Sequence, residues 1–273
     1  MLKKLLSNLA TQGLVALGLA KAAVACPVCN GKAKIIGAVD FNRSCEDREG
    51  CIFEPGGKLV EYCLCDRCGY CFAPEFLNWP VQRFLNEIYN DEYLLVDPEL
   101  SELRPGRVAQ GLEDIFGGAK SQIDHLDYGG GPGTLSKLLV AKGWKSASFD
   151  PFFPESGQSK AGQHDLVTAI EVFEHVPNPR QLVEDLIVRL RPDGLLFFST
   201  LLSDGAQQEA SLLDWWYLAP RNGHVSLFSM SSLTILFGLY EFKLLNVSPG
   251  VHIAYRRLPQ WCQGLEAFAN LKK

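Results

Sequence analysis

Four cysteines stand in two short knuckles, Cys26-Pro-Val-Cys29-Asn-Gly and Cys65-Asp-Arg-Cys68-Gly-Tyr, with 35 residues between them. Each knuckle turns two thiolates toward one point, and the glycine that follows lets the backbone fold around sulfur. Four such sulfurs satisfy the tetrahedral preference of Zn²⁺, so Cys26, Cys29, Cys65 and Cys68 are the expected metal ligands. Two disulfides are the competing use, but disulfides have no need of paired knuckles. Cys45, Cys51, Cys63 and Cys71 fit no ligand template and read as small buried side chains, and Cys262 lies alone.

A second constellation is Asp127-Tyr-Gly129-Gly130-Gly131-Pro-Gly133, at the end of an apolar strand and ahead of a helix, with Asp150 closing the next strand. Glycines there let a cofactor approach the backbone beside the positive end of a helix, and the second acid suits ribose hydroxyls, as in dinucleotide folds. Further on, Glu171, Glu174 and His175 stand at i, i+3 and i+4. On one helical face they could hold a base or a divalent metal; the plainer use is Glu171 in the cofactor pocket and His175 in packing. His224 follows the aromatic run Trp215-Trp216-Tyr217. Its ordinary pKa suits proton removal at neutral pH, which makes it the preferred general base over His175.

The elements that must carry these groups are written in the patterning. The 273 residues are 47% apolar and 21% charged with a net charge of -5, an ordinary globular composition that argues against affinity built on neutralising nucleic-acid phosphates. β-prone runs at 35–41 and 58–63 predict a small ribbon over 26–75. Helical spacing follows at 80–93 and 107–116, within a connector over 76–118. From residue 119 to 258 short apolar strands alternate with helices, which predicts an α/β core with a mostly parallel sheet. Residues 203–229 form an insertion at the mouth of that sheet, where a substrate roof belongs, and 259–273 form a tail. Residues 1–25 have a basic start and an apolar stretch resembling a secretory signal, but Ser7, Asn8, Thr11, Gln12 and Lys21 interrupt it. Leu2, Leu5, Leu6 and Leu9 share a face, so this segment is expected to be an amphipathic helix contacting a partner or a membrane surface through residues 2–20.

Asp127-x-Gly129-x-Gly131-x-Gly133, Asp150, His164-Asp-Leu-Val167, Glu171-Val-Phe-Glu174-His175-Val-Pro and Leu190-Arg-Pro-Asp-Gly-Leu-Leu-Phe-Phe-Ser-Thr200 resemble, in order, the motifs of class I S-adenosylmethionine-dependent methyltransferases. The last two segments are closest to the ubiquinone-biosynthesis O-methyltransferase branch. The resemblance covers roughly 112–257. It implies a Rossmann-like, mostly parallel sheet with helices on both faces and an antiparallel last strand. It also implies that Asp127, Gly129, Gly130, Gly131, Gly133 and Glu171 line the cofactor, that Asp150 takes its ribose hydroxyls and that Phe152 or Phe153 packs on adenine. Only fourteen residues separate Asp150 from Asp165, so a reduced third strand is expected, with Gln163 or His164 closing the adenine pocket.

The knuckle pair ahead of such a core also resembles sugar C-methyltransferases acting on nucleotide-linked deoxysugars, although their long C-terminal domain is missing here. That likeness implies that Tyr89, Tyr93, Arg104 and Arg107 cover the cofactor or meet its carboxylate. The leading expectation is therefore S-adenosylmethionine-dependent methylation of oxygen or carbon on a small molecule, a sugar or nucleotide-sugar, with His224, His175 and Glu174 as catalytic groups, structural Zn²⁺ and a cytoplasmic, membrane-associable protein. A second expectation is Mg²⁺-assisted O-methylation of a phenolic or prenylated acceptor. A third is a non-catalytic docking module with a zinc ribbon.

Overall fold

The computed structural model of the chain describes residues 24–153, 162–209 and 212–262. The expected N-terminal helix therefore lies outside the described residues, apart from 24–25, which form a strand. In chain order, strands β1 (Val24–Ala25), β2 (Lys32–Asp40), β3 (Leu59–Cys65) and β4 (Cys71–Phe72) precede helices α1 (Val81–Glu87), α2 (Tyr93–Val96) and α3 (Leu103–Phe116). There follow β5 (Asp124–Tyr128), α4 (Thr134–Ala141), β6 (Lys145–Phe149), β7 (His164–Ile170), α5 (Pro179–Val188), β8 (Leu190–Ser199) and α6 (Asp204–Glu209). The chain closes with β9 (Ser226–Leu227), α7 (Met230–Gly238), β10 (Lys243–Ser248) and β11 (Val251–Tyr255). Among the described residues no helix is long and apolar enough to cross a membrane.

The second half forms a six-stranded sheet of order β10-β11-β8-β7-β5-β6. Strands β6, β5, β7 and β8 are parallel, whereas β11 is antiparallel to both neighbours. This is a Rossmann-like α/β sheet with an antiparallel last strand. Successive side chains leave opposite faces of a strand, so β8 serves two cores. Leu196 and Phe198 pack with Leu182 and Leu186 of α5 and Leu233 and Phe237 of α7, while Leu195 and Phe197 pack with Leu112 of α3 and Leu139 of α4. Asn178 caps α5 by accepting from the Gln181 amide, ahead of Pro179 at the first helical position, and Ser229 caps α7.

The reduced third strand expected between Asp150 and Asp165 falls on residues 154–161 and lies outside the described residues. Two other expectations are corrected here. His164 opens β7 at its amino end, with Nδ1 3.0 Å from Asp124 Oδ1. A parallel strand carries its first residue to the edge away from the glycine turn, so neither His164 nor the adjoining Gln163 can close an adenine pocket. The helix expected over 80–93 is two pieces, because Asn90 uses its Oδ1 to accept from Glu92 N and from Arg221, holding a break between α1 and α2.

The cysteine-rich segment forms a second sheet of order β1-β2-β3-β4-β9. Its last strand comes from the 203–229 insertion, pairing Cys71 with Leu227 and Phe72 with Ser226. The ribbon therefore does not close on itself; its free edge is completed by the α/β half, and the two share one continuous core.

Candidate active site and metal centres

The glycine turn after β5 is shaped around an acid. Asp127 is 2% exposed, and its Oδ1 accepts from the Thr168 hydroxyl at 3.0 Å. Its Oδ2 has no partner. A Cβ on Gly130 would lie 2.2 Å from that oxygen, so only glycine lets the chain pass over it. Burial, with Asp150 nearby, pushes the Asp127 carboxyl up to about 7. Asp150 accepts from Gly131 N at 2.9 Å and from Phe152 N at 2.8 Å. An orphaned buried carboxylate oxygen beneath a glycine fits the cationic end of S-adenosylmethionine, and a fixed acid at the next strand fits its ribose.

Of the two phenylalanines considered for adenine, Phe152 is turned to Tyr89, with ring centroids 5.3 Å apart, and Phe153 is half-exposed beside Gly131. Tyr93 is buried and donates to the Asn222 carbonyl at 3.2 Å. Arg104 is gripped by both carboxylate oxygens of Asp97 at 2.9 and 2.7 Å, and Arg107 by Glu99. Tyr93, Arg104 and Arg107 thus have partners of their own, and the two arginines line one cavity with Glu171 and Ser199.

Beyond β7 the chain bends sharply. Glu171 takes a left-handed conformation, φ 51°, which costs a non-glycine residue about 1–3 kcal/mol and must be held by its surroundings. Ser199 holds it: the hydroxyl accepts from Glu171 N at 2.9 Å and donates to Oε1 at 2.8 Å. The bend leaves Glu174 fully buried on a short 3₁₀ turn (Phe173–His175). Glu174 Oε1 accepts from the Tyr217 hydroxyl at 2.5 Å, while Oε2 has no partner. Burial and the neighbouring Glu171 raise its carboxyl well above the usual range.

His224 arrives from the insertion. Gly223 has φ 86°, and a Cβ there would stand 3.0 Å from His175 Nδ1, so glycine is what allows the chain to deliver His224 beside His175. The two imidazole centroids are 5.0 Å apart. His224 Nδ1 donates to the Tyr217 carbonyl at 2.7 Å, leaving Nε2 with the lone pair. Burial depresses both histidines, so they are neutral at pH 7. Donor atoms of Glu174, His175 and His224 lie within 4.8 Å of one another. Glu171 stands outside that group, its two carboxylate oxygens accepting from Ser199 and from Tyr217 at 3.3 Å. Magnesium, implied by the ubiquinone-branch resemblance through Glu171, Glu174 and His175, favours oxygen donors and does not fit a cluster that is two-thirds imidazole.

The four knuckle sulfurs also converge, and all four cysteines are buried. Cys26 and Cys68 sulfurs are 3.7 Å apart and those of Cys29 and Cys65 3.5 Å, near the edge of about 3.8 Å that 2.3 Å bonds impose on a tetrahedron. The donor set could hold Zn²⁺. Backbone carbonyls of the knuckles are fastened to the α/β half: Ser229 Oγ donates to Cys68 O at 2.5 Å, and Arg180 donates to Val28 O at 2.7 Å. Of the remaining cysteines, Cys45, Cys63 and Cys71 are buried as expected, but Cys51 is exposed and its thiol donates to Phe53 O, because it sits in a polar loop rather than on a strand.

A cavity of about 280 Å³ opens beside Glu171 and Ser199, lined by Arg104 and Arg107 as well as by the apolar Leu112, Ile115, Phe197 and Val251. Residues not anticipated are Tyr217, which touches Glu171, Glu174 and His224, Tyr62, whose hydroxyl donates to His224 O at 2.8 Å, and Cys45, 3.6 Å from His224 Nδ1. Only Tyr217 carried a signal, as the last member of the aromatic run.

Comparison with known proteins gives concordant results. Ubiquinone biosynthesis O-methyltransferases of Escherichia coli and Shigella boydii are 30% identical over 39% of this chain and 52% of their own, so the chain spans about half the length of these curated relatives. Among solved structures, magnesium protoporphyrin IX methyltransferase from Synechocystis with bound S-adenosylhomocysteine aligns at TM-score 0.44 and 15% identity, covering 67% of this chain and 97% of that one. An O-methyltransferase family protein from Burkholderia thailandensis aligns at 0.44 and 13%, covering 68% and 70%. Scores of this size carry no weight of their own. A family profile described as a methyltransferase domain matches residues 100–247, more than half of the chain. The chain, with its glycine turn over an orphaned acid and its strand order, belongs to the methyltransferase-domain family.

Proposed function

We propose that the protein transfers a methyl group from S-adenosylmethionine to an oxygen of a small-molecule acceptor. The observation that carries the reading is the direct apposition of the cofactor cradle and the buried cluster: a Cβ on Gly129 would meet Val172 at 2.5 Å, and the Tyr89 ring lies 5.3 Å from Phe152 and 6.1 Å from His175. Bound in the cradle, S-adenosylmethionine supplies an electrophilic methyl on a sulfonium, displaced in line by the acceptor. Asp127 would meet the cofactor's ammonium and Asp150 its ribose hydroxyls. His224 Nε2, aimed by the bond from Nδ1 to Tyr217, would take the acceptor's proton, with His175 beside it. The knuckle cysteines would hold a structural Zn²⁺ that fastens the roof over these groups.

The apolar cavity beside Glu171 favours an acceptor with a flat or aliphatic body, as in the phenolic reading, over the sugar or nucleotide-sugar suggested by the ribbon. Titration calorimetry with S-adenosylmethionine tests the whole reading: binding near 1:1 is expected, and no binding would leave only the docking-module alternative. Near wild-type turnover in both His224→Ala and His224→Gln would refute the role of that histidine.

A further inference from the structure

We propose that His125, on β5, is a positioning residue that acts through Thr168 to hold the Asp127 carboxylate for the cofactor's ammonium; the proposal rests on the methyl-transfer reading. Side chains two residues apart leave the same face of a strand. The sheet register puts Ser146 of β6 opposite His125, and Thr168 of β7 opposite Asp127. These groups form one row of hydrogen bonds across three strands. His125 Nδ1 lies 2.7 Å from Ser146 Oγ and Nε2 lies 3.0 Å from Thr168 Oγ1, whose hydroxyl donates to Asp127 Oδ1 at 3.0 Å. Ser136 Oγ of α4, 3.1 Å from Ser146 Oγ, closes the far end. His125 and Thr168 are fully buried, where a polar row is strong when complete and costly when broken.

The supply of protons fixes the direction of the row. An ionised Asp127 only accepts, so Thr168 spends its single proton on Oδ1. The Thr168 oxygen must then accept from the ring, which puts the imidazole proton on Nε2. Burial, with His164 nearby, pulls the His125 ring down to about 3, so at neutral pH it carries one proton and not two. Nδ1 is left with the lone pair and takes the Ser146 hydroxyl. In the other tautomer a lone pair on Nε2 would compete with Asp127 for the Thr168 proton, and the carboxylate would lose the one bond its side chain has. The ring held in the Nε2–H form therefore commits Thr168 to Oδ1 and leaves the unpartnered Oδ2 to meet the ammonium.

In full-length protein saturated with S-adenosylhomocysteine at pH 8, nitrogen-15 magnetic resonance should show His125 as the neutral Nε2–H tautomer, its signals identified by their loss in His125→Gln. The Nδ1–H tautomer or a doubly protonated ring would overturn the proposal. This measurement is made on the wild-type ring and decides the matter even if a leucine variant does not fold. Calorimetry then compares S-adenosylhomocysteine with 5′-methylthioadenosine, which lacks the amino-acid end that Asp127 serves. His125→Leu should weaken the first roughly 3- to 10-fold and change the second by less than roughly twofold, while His125→Gln, whose amide still donates to Thr168, should recover most of the loss. In an Asp127→Asn background the effect of His125→Leu should shrink to less than roughly twofold. Equal weakening of both ligands would make His125 a packing residue and overturn the proposal, as would an undiminished loss in the Asp127→Asn background. Absence of S-adenosylhomocysteine binding by the wild type would overturn the cofactor reading itself, whereas the other adverse outcomes, read on protein that binds it, overturn only the role of His125.

Discussion

Asp127 holds an acid where the fold alone gives it too little. Its carboxyl is fully buried, one oxygen accepts a single hydroxyl bond, and the other accepts none. In the cofactor-free protein ionisation is therefore costly. The rise from 3.8 to about 7 corresponds to about 4 kcal/mol at 1.36 kcal/mol per pH unit. Because the folded pKa lies above the unfolded one, the acid's contribution to stability is whole below about pH 3.8 and is lost progressively until about pH 7. Asp127→Asn keeps the shape and the bond to Thr168 while removing the charge. Urea unfolding of cofactor-free protein should find the variant more stable than wild type by about 2 kcal/mol at pH 5 and about 4 kcal/mol at pH 8. Calorimetry at pH 8 should find the opposite for the cofactor. Losing a charge-assisted bond of about 1.5–3 kcal/mol weakens S-adenosylmethionine roughly 10- to 150-fold. If the variant is no more stable than wild type at pH 8, the carboxylate is not an uncompensated buried charge and the assignment of its free oxygen to the cofactor falls with it.

Other changes should be as readable. Gly130→Ala places a methyl 2.2 Å from Asp127 Oδ2 and 2.5 Å from Ser148 Oγ, so cofactor binding should fall below detection by calorimetry while far-ultraviolet circular dichroism stays that of the folded sheet. Tyr62→Phe strips the buried His224 carbonyl of its side-chain donor and should cost about 1–3 kcal/mol in urea unfolding. Ser229→Ala removes the cap of α7 and the bond to Cys68 O; a loss of about 1–2 kcal/mol is expected, with zinc released at lower chelator concentration, whereas Thr234→Ala on the exposed side of the same helix should leave zinc retention unchanged.

What could be read from the chain was whatever local spacing encodes. The knuckles, the Asp127 to Gly133 turn and the alternation of strands and helices are statements about neighbours, and each lies in the structure near its expected place. Spacing says that His164 begins a strand but not which edge of the sheet that beginning occupies. The helix over 80–93 breaks for a reason 131 residues away, where Arg221 takes the Asn90 side chain. Tyr62 and Cys45 reach His224 across 162 and 179 residues, and no pattern within either segment marks them.

The strand shared between the two halves sets a timetable. Tyr70 and Ser226, bonded through their hydroxyls beside the β4 and β9 pairing, are 156 residues apart. At about 5–20 residues per second, ribosomal synthesis leaves roughly 8 to 30 s between emergence of the cysteine knuckles and emergence of the strand that seals them. During that interval the thiols and an open strand edge face the solvent together. Early capture of an ion by the knuckles would protect the nascent chain from oxidation and edge-to-edge pairing until its own C-terminal half arrives.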